Sequence, residues 1–329
     1  MTDELMSEIK VPRTDGSIIT VVGVGGAGGN AVNHMWNLGI RGVTFMVCNT
    51  DAQALDNSPV EEKVQLGREG LGAGNDPENG RKAAIESLDD IRRRLEAAGT
   101  RMLFVTAGMG GGTGTGASPV IAKLAHEMGI LTVGIVTSPL AVEGKIRYEQ
   151  AFRGIEELSR NVDSLLVINN ENIVEMYGRL SLKQAFGKAD DILASAAKGI
   201  AEIITVESDM VNVDFADVSK VMRDSGRAHM SVATAEGEHR AAEVARASLE
   251  SPLLDHTLIS GAKNILLNIS TSDADSLALD EVMEILKYIQ SHASVQAPDG
   301  TVHDANIIWG TSVKPQPVSY THLTLPTIC

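Results

Sequence analysis

Cysteine is nearly missing, with two in 329 residues: Cys48 inside an apolar run and Cys329 at the last position. Such a pair makes neither a disulfide framework nor a zinc set, and a small buried thiol is the ordinary reading of Cys48. Aromatic residues are 3% of the chain, and 28 basic side chains face 43 acidic ones for a net charge of −15. Without a Lys/Arg run or an aromatic-interleaved basic stripe, no nucleic acid partner is expected. Apolar runs fall well short of the roughly 20 residues a membrane span needs. The opening MTDELMSEIKVPRTDGS is polar and acidic where a secretory leader would be basic, then apolar. The chain reads as soluble and cytoplasmic, without direct membrane insertion, behind a disordered tail over residues 1–16. The eight histidines show no H-E-x-x-H spacing, and G-x-S-x-G does not occur, so neither metal ligands nor a serine nucleophile are indicated.

The length and a 43% hydrophobic content favour two domains. Short apolar runs at residues 18–24, 43–48, 101–106, 130–137 and 164–168 alternate with helical stretches such as 77–98 and 144–159. Strand–helix repetition with nearly continuous apolar strands predicts an α/β fold, a parallel sheet covered on both faces. Leu182, Phe186, Ala189, Leu193, Ala196, Ile200 and Ile203 then repeat at four and three residues, one apolar face of a long helix over about 181–205. That helix closes a first domain over 17–206. A connecting segment, 207–224, leads to a smaller α+β domain over 225–317, with strands near 232–235, 264–270 and 305–309 and helices near 238–248 and 278–290. From Val318 on, VSYTHLTLPTIC resembles the translation of a sequencing-library adapter. It is set apart from the fold as an artefact, and if it is foreign the second domain as given lacks its ending.

Two glycine-rich stretches carry the chemistry. In VVGVGGAGGNAV, Gly23, Gly25 and Gly28 satisfy G-x-G-x-x-G between a strand and a helix, and Asp51 follows the next strand as a ribose-binding acid would in a dinucleotide fold. In GMGGGTGTG, five of the seven positions from Gly110 to Gly116 are glycine, again flush between an apolar strand and an apolar helix. A dinucleotide fold needs one such turn, whereas two suit a compact polyphosphate gripped from both sides. Neither a Walker A motif nor a guanine-type N-K-x-D is present.

GGGTGTG resembles the tubulin signature. GVGGAGGNAV, NTDAQAL at Asn49, GLGAG at Gly70 and NVDFADV at Asn212 are similar to the bacterial cell-division branch, FtsZ, of the tubulin/FtsZ GTPase family, in register from about Ile18 to about Val313. The resemblance implies a tubulin-like GTPase binding GTP or GDP with Mg²⁺ and polymerising with itself, head to tail, at the division site. It implies membrane-tethering division proteins as further partners, bound through a C-terminal peptide not seen in this sequence. Gly25, Gly26 and Asn30 would line the first phosphate and base loop, with Thr50 and Asp51 near ribose or phosphates. Gly72, Ala73 and Asn75 would close over the γ-phosphate. Gly110, Gly111, Gly112 and Gly114 would supply backbone donors, and Thr113 or Thr115 a hydroxyl. Glu143 and Arg147 match ribose and phosphate contacts, although i,i+4 spacing equally describes a surface ion pair. Asn170 corresponds to a base-contacting asparagine. Glu171, in INNEN rather than the usual Pro-Asn-Asp, is a weaker match to a ribose contact.

Phe186 and Asp190 lie i,i+4 on one helix face, where a ring can stack on guanine while a carboxylate accepts from N1–H and the 2-amino group. Core packing is the alternative for Phe186. Asn212, Asp214 and Asp217 read first as an N-cap arrangement for a helix over 215–222. Position argues for more, because the helix from Asp190 to Thr205 carries the chain about 22 Å onward. Unless the loop folds back, these residues are too far to serve their own nucleotide. They could serve a neighbour's, polarising water there, and hydrolysis would then need assembly. The rivals are an NAD(P)-dependent oxidoreductase and a nucleotide-binding scaffold that assembles without turnover.

Overall fold

Six segments of the first half, five of them apolar, become parallel strands: β1 (Ile19–Val24), β2 (Thr44–Asn49), β3 (Glu62–Gln65), β4 (Met102–Gly108), β5 (Leu131–Ser138) and β6 (Ser164–Asn169). Their spatial order is β3-β2-β1-β4-β5-β6, and β7 (Gly226–Ala235) joins β6, also in parallel. The structure, a computed structural model, describes residues 17–177, 181–205, 211, 213–250, 259–272, 277–296, 301–313 and 321–328, with 176, 177, 182, 183, 185, 186, 296 and 321–328 described by backbone alone. The expected tail over 1–16, Asn212 and the Phe186 side chain lie outside the described residues.

Apart from the edge strand β3, the strands are apolar along most of their length because helices cover both faces. On one side, Val21, Phe104 and Ile135 pack with Val32 and Met35 of α1 (Gly25–Asn37) and with Leu193, Ala197 and Ile200 of the long helix α8 (Leu182–Thr205). Opposite them, Val22, Leu103 and Val105 meet α4 (Leu88–Ala97) through Ile91 and Leu95, α5 (Gly112–Glu127) through Ile121, and α6 (Lys145–Ser159) through Leu158. Each fully buried Leu or Ile in these layers contributes about 1.5–3 kcal/mol.

The remaining elements of this half are α2 (Ala52–Asp56), α3 (Pro77–Glu86), α7 (Asn170–Tyr177), a 3₁₀ turn at Ala141–Glu143, and α9 (Phe215–Met222), which leads into β7. The helix expected over 77–98 is in fact two, α3 and α4, parted at Ser87. Its hydroxyl accepts from the Gly67 N–H at 3.0 Å and donates to the Gln65 carbonyl at 3.3 Å, so the chain leaving β3 holds the break.

The smaller half extends the sheet through β8 (Asn264–Thr271), β11 (Asn306–Val313) and β12 (Thr321–Ile328) in the order β7-β12-β8-β11. A separate ribbon pairs β9 (Val295–Gln296) with β10 (Val302–His303). Val244 of α10 (Arg240–Leu249) and Ile285 and Ile289 of α11 (Leu279–Ala293) pack on Ile265, Leu267 and Ile269. The adapter-like residues, set apart from the fold on sequence grounds, include β12. It runs antiparallel between β7 and β8, pairing with β7 throughout but with β8 only at residues 322–324 and 327–328. Backbone pairing is largely blind to side chains, and a slot flanked by two free strand edges accepts any extended segment long enough to reach it.

Candidate functional site

In the strand order β3-β2-β1-β4-β5-β6 the winding reverses between β1 and β4, and parallel sheets bind ligands in the crevice outside the carboxyl ends at that point. The two glycine stretches stand there, one after each strand. The helices they open, α1 and α5, have no side-chain cap and no acidic residue in the first turn. By contrast α2, α3 and α9 are capped by Asp51, Asp76 and Asp214. First-turn N–H groups of α1 and α5 are therefore left for a ligand, and the helix dipoles favour an anion by about 0.3–1 kcal/mol each.

The loops also hold one another. Gly25 has φ +72°, and a Cβ there would stand 2.8 Å from the Gly114 amide nitrogen. One on Gly112 would stand 2.8 Å from Ala73 Cβ, which brings a third loop, residues 70–76, against the second. Gly110, at φ +105°, lies against Arg147. Gly26, Gly72 and Gly111 instead face open space, leaving their backbone accessible to a ligand. Thr50, just after β2, and Thr113 of the second loop share a 2.6 Å hydroxyl bond, and the Gly72 N–H donates to the Thr50 carbonyl at 3.0 Å. Of the two threonines considered for a ligand hydroxyl, Thr115 is buried and already accepts from the Gly110 N–H at 2.7 Å, which leaves Thr113.

Around this centre, Asn30 and Asn75 are exposed, Asn75 at φ +59°. Asp51 accepts from the Ala54 N–H at 3.2 Å. Glu143 and Arg147 form the i,i+4 ion pair, at 3.2 Å. Glu143 also accepts from the Leu140 N–H at 2.9 Å, and Glu171 from the Ala141 N–H at 2.6 Å, so both acids brace the 3₁₀ turn. Asn170, at the carboxyl end of β6, has a buried Oδ1 without a partner among the described residues. On α8, burial pushes the Asp190 carboxyl up to about 6, with the neighbouring His34 pulling it down and Asp191 pushing it up.

Asp214 and Asp217 are elsewhere. Both are exposed, and the Asp214 carboxylate caps α9 by accepting from the Asp217 N–H at 2.9 Å. The Phe215 ring lies 4.8 Å from the Arg101 guanidinium, at the amino end of β4. The chain after α9 is held by buried Asp163 beside the amino end of β6, which accepts from Asp224 N–H at 3.4 Å and, through its carbonyl, from Gly226 N–H at 3.0 Å. Between Arg101 and the second glycine loop run the seven residues of β4, about 23 Å. The far end of α8 agrees, since Thr205 abuts Gly42 just before β2. Three contacts had no local signal in the sequence: Arg101 on Phe215, Asp163 on the turn after α9, and His34 on Asp191, 157 positions away. Among the described residues no three His, Cys, Asp or Glu side chains gather as a metal set.

A switch-point crevice with two uncapped glycine-loop helices and a long helix leading to a second α/β unit defines a tubulin-like nucleotide-binding protein. The family model "Tubulin/FtsZ family, GTPase domain" matches residues 18–178, and "FtsZ family, C-terminal domain" matches 226–324. "Cell division protein FtsZ" of Porphyromonas gingivalis is 46% identical over 319 residues, covering 96% of this chain and 68% of its own length. The protein of that name from Pseudomonas aeruginosa is 48% identical over 297 residues, covering 88% and 74%. A solved FtsZ dimer from M. jannaschii superposes with a TM-score of 0.82 at 38% identity, over 95% of this chain and 88% of that one. CetZ1 from Haloferax volcanii, at 20% identity and TM-score 0.79 over 94% of both chains, shares the fold. The chain belongs to the FtsZ family, and is a guanine-nucleotide-binding GTPase of the tubulin-like cytoskeletal class that serves cell division. The dinucleotide-dependent oxidoreductase is thereby set aside.

Proposed function

We propose that this GTPase completes its active site between two copies of the chain, one supplying the nucleotide crevice and the next supplying Asp214 and Asp217. The observation that carries it is the separation just described, with glycine loops at the carboxyl ends of the strands and the two exposed carboxylates toward the amino ends. No fold-back contact with the crevice is found for either carboxylate among the described residues.

In this reading the first-turn N–H groups of α1 and α5, with Gly26, Gly72 and Gly111 facing the ligand, cradle the phosphates, and Ala73 and Asn75 report on the terminal one. Asn30, Thr50, Asp51, Glu143 and Arg147 serve ribose and phosphates. The unpartnered Asn170 Oδ1 faces the base. Ionised Asp190 accepts from guanine N1–H and the 2-amino group, donors that adenine does not present in that arrangement. Asp214 and Asp217, with Asn212 orienting them, accept protons from the attacking water in the adjoining crevice, where in-line geometry supplies most of the catalysis. Mg²⁺ fits the donor chemistry if phosphate oxygens and water supply most of its ligands, with the Thr50 and Thr113 hydroxyls as neutral oxygens of the pocket. Bound there, it neutralises phosphate charge. A surface that differs between donor and acceptor ends is heterologous and grows an open filament. We place that filament at the division site in the cytoplasm, tethered to the membrane by other proteins.

The test is phosphate release from GTP against protein concentration, with ATP as control. The expected rate is negligible below a threshold and rises linearly above it. A specific rate independent of concentration would mean each chain hydrolyses alone and would remove the shared site. No turnover at any concentration would favour the assembling scaffold.

A further inference from the structure

The carboxylate beside Asp190 is tied to the helix that carries the first phosphate loop. Asp191 Oδ1 lies 2.8 Å from His34 Nε2, and its other oxygen accepts from Lys188 Nζ at 3.0 Å. Burial works against its charge, yet the bonds from Lys188 and His34 hold Asp191 below the ordinary carboxylate value. It is thus a fixed anion with both oxygens engaged. Successive helix residues project about 100° apart, so Asp191 turns toward α1 while Asp190 turns to another side of α8. His34 lies in the last turn of α1, whose first turn holds Gly25 and Gly26. The preceding residue, Asn33, accepts from the Ser58 hydroxyl at 2.6 Å, a second tie on the same turn.

We propose that His34 is a positioning residue for guanine recognition: by bonding Asp191 it sets the rotation of α8 about its axis, and with it the direction in which Asp190 presents its carboxylate. One rigid helix then meets the phosphates at its start and orients the base-selecting group at its end, fixing the distance between the two halves of the ligand. The proposal rests on the reading of Asp190 as the guanine acceptor.

A staple that only stabilised the fold would weaken every nucleotide alike. A positioning contact changes the discrimination between bases, and inosine triphosphate, which lacks the 2-amino group, reports it. The experiment measures equilibrium binding of GTP, ITP and ATP to the full chain and to His34→Ala, His34→Gln, Asp191→Ala and Asp190→Ala, with turnover at saturating GTP for the His34 and Asp191 variants. In His34→Ala the Kd for GTP should rise about tenfold and the GTP preference over ITP should shrink, while turnover per subunit at saturation stays within about twofold. His34→Gln, whose amide nitrogen can take the place of Nε2, should restore the preference. Asp191→Ala should reproduce the loss and stands in if His34→Ala does not fold. Equal weakening of GTP and ITP in the two alanine variants, or no change in either, overturns the proposal. If Asp190→Ala keeps full preference for GTP over ATP, the base reading itself fails, an outcome distinct from a silent His34.

Discussion

Asp190 makes the nucleotide site sensitive to pH in a direction that can be stated. Burial, opposed by His34 and reinforced by Asp191, raises its carboxyl from 3.8 to about 6 in the folded chain without nucleotide. Between those values the native state binds more protons than the unfolded one. This group's contribution to stability is therefore present at low pH and lost as pH rises through about 6. Guanine recognition runs the other way, because only the ionised form accepts from both donors. GTP binding, normalised to an Asp190→Asn variant that removes this titration and leaves that of the phosphates, should weaken about tenfold from pH 7 to pH 5. A flat ratio would exclude Asp190 from the base site. Asp163 is a second residue with a sharp expectation. It is fully buried and accepts from the Thr132 N–H at 2.8 Å as well as from the turn after α9, so Asp163→Ala leaves buried donors unmatched. We expect about 3 kcal/mol of lost stability in denaturant unfolding. The glycines of the site were legible because a missing side chain beside a strand has few explanations. Asp163 and His34 were not, since each acts on a partner that folding alone brings near.

At the scale of elements, periodicity found the strands of the parallel sheet that have continuous apolar runs, and it found α8. It missed β3, whose EKVQ buries only Val64 fully, and ran α3 into α4 because the bonds at Ser87 come from a strand some twenty residues earlier. β12 shows the limit from the other side. Its residues resemble a foreign sequence, yet the gap between β7 and β8 is filled by backbone pairing that asks only for extended chain. Pro326 pairs opposite Met230 of β7, and the ladder to β8 skips Leu325 and Pro326. A proline inside a strand flanked on both sides has no N–H to donate. Pro326→Thr should therefore stabilise the smaller half by about 0.5–1 kcal/mol, read as a raised melting temperature. An unchanged or lowered value would show that the pairing across this stretch contributes little.

The whole molecule is polar in the structural sense. The crevice opens at one end of a parallel sheet, and the Asp214 loop is fixed toward the other by Arg101 and Asp163. The seven parallel strands β1–β7 force this asymmetry, and a chain whose two ends are complementary has no reason to stop at a dimer. A shared active site can be separated from a private one by mixing two inactive chains. Gly25→Val would place a branched side chain against Gly114 at a positive φ and close the crevice while leaving the loop at Asp214 intact. Asp214→Asn would keep the cap on α9, since asparagine caps as well as aspartate, while removing the proposed acceptor of the water proton. Each alone should hydrolyse GTP at no more than about a hundredth of the normal rate. Mixed in equal amounts, with Asp214→Asn chains holding GTP and Gly25→Val chains presenting the loop, a measurable part of the activity should return. In a random polymer about a quarter of the contacts would pair a working crevice with a working loop, which sets the ceiling for recovery. Sites contained within one chain would recover nothing at any ratio, since neither variant holds both halves.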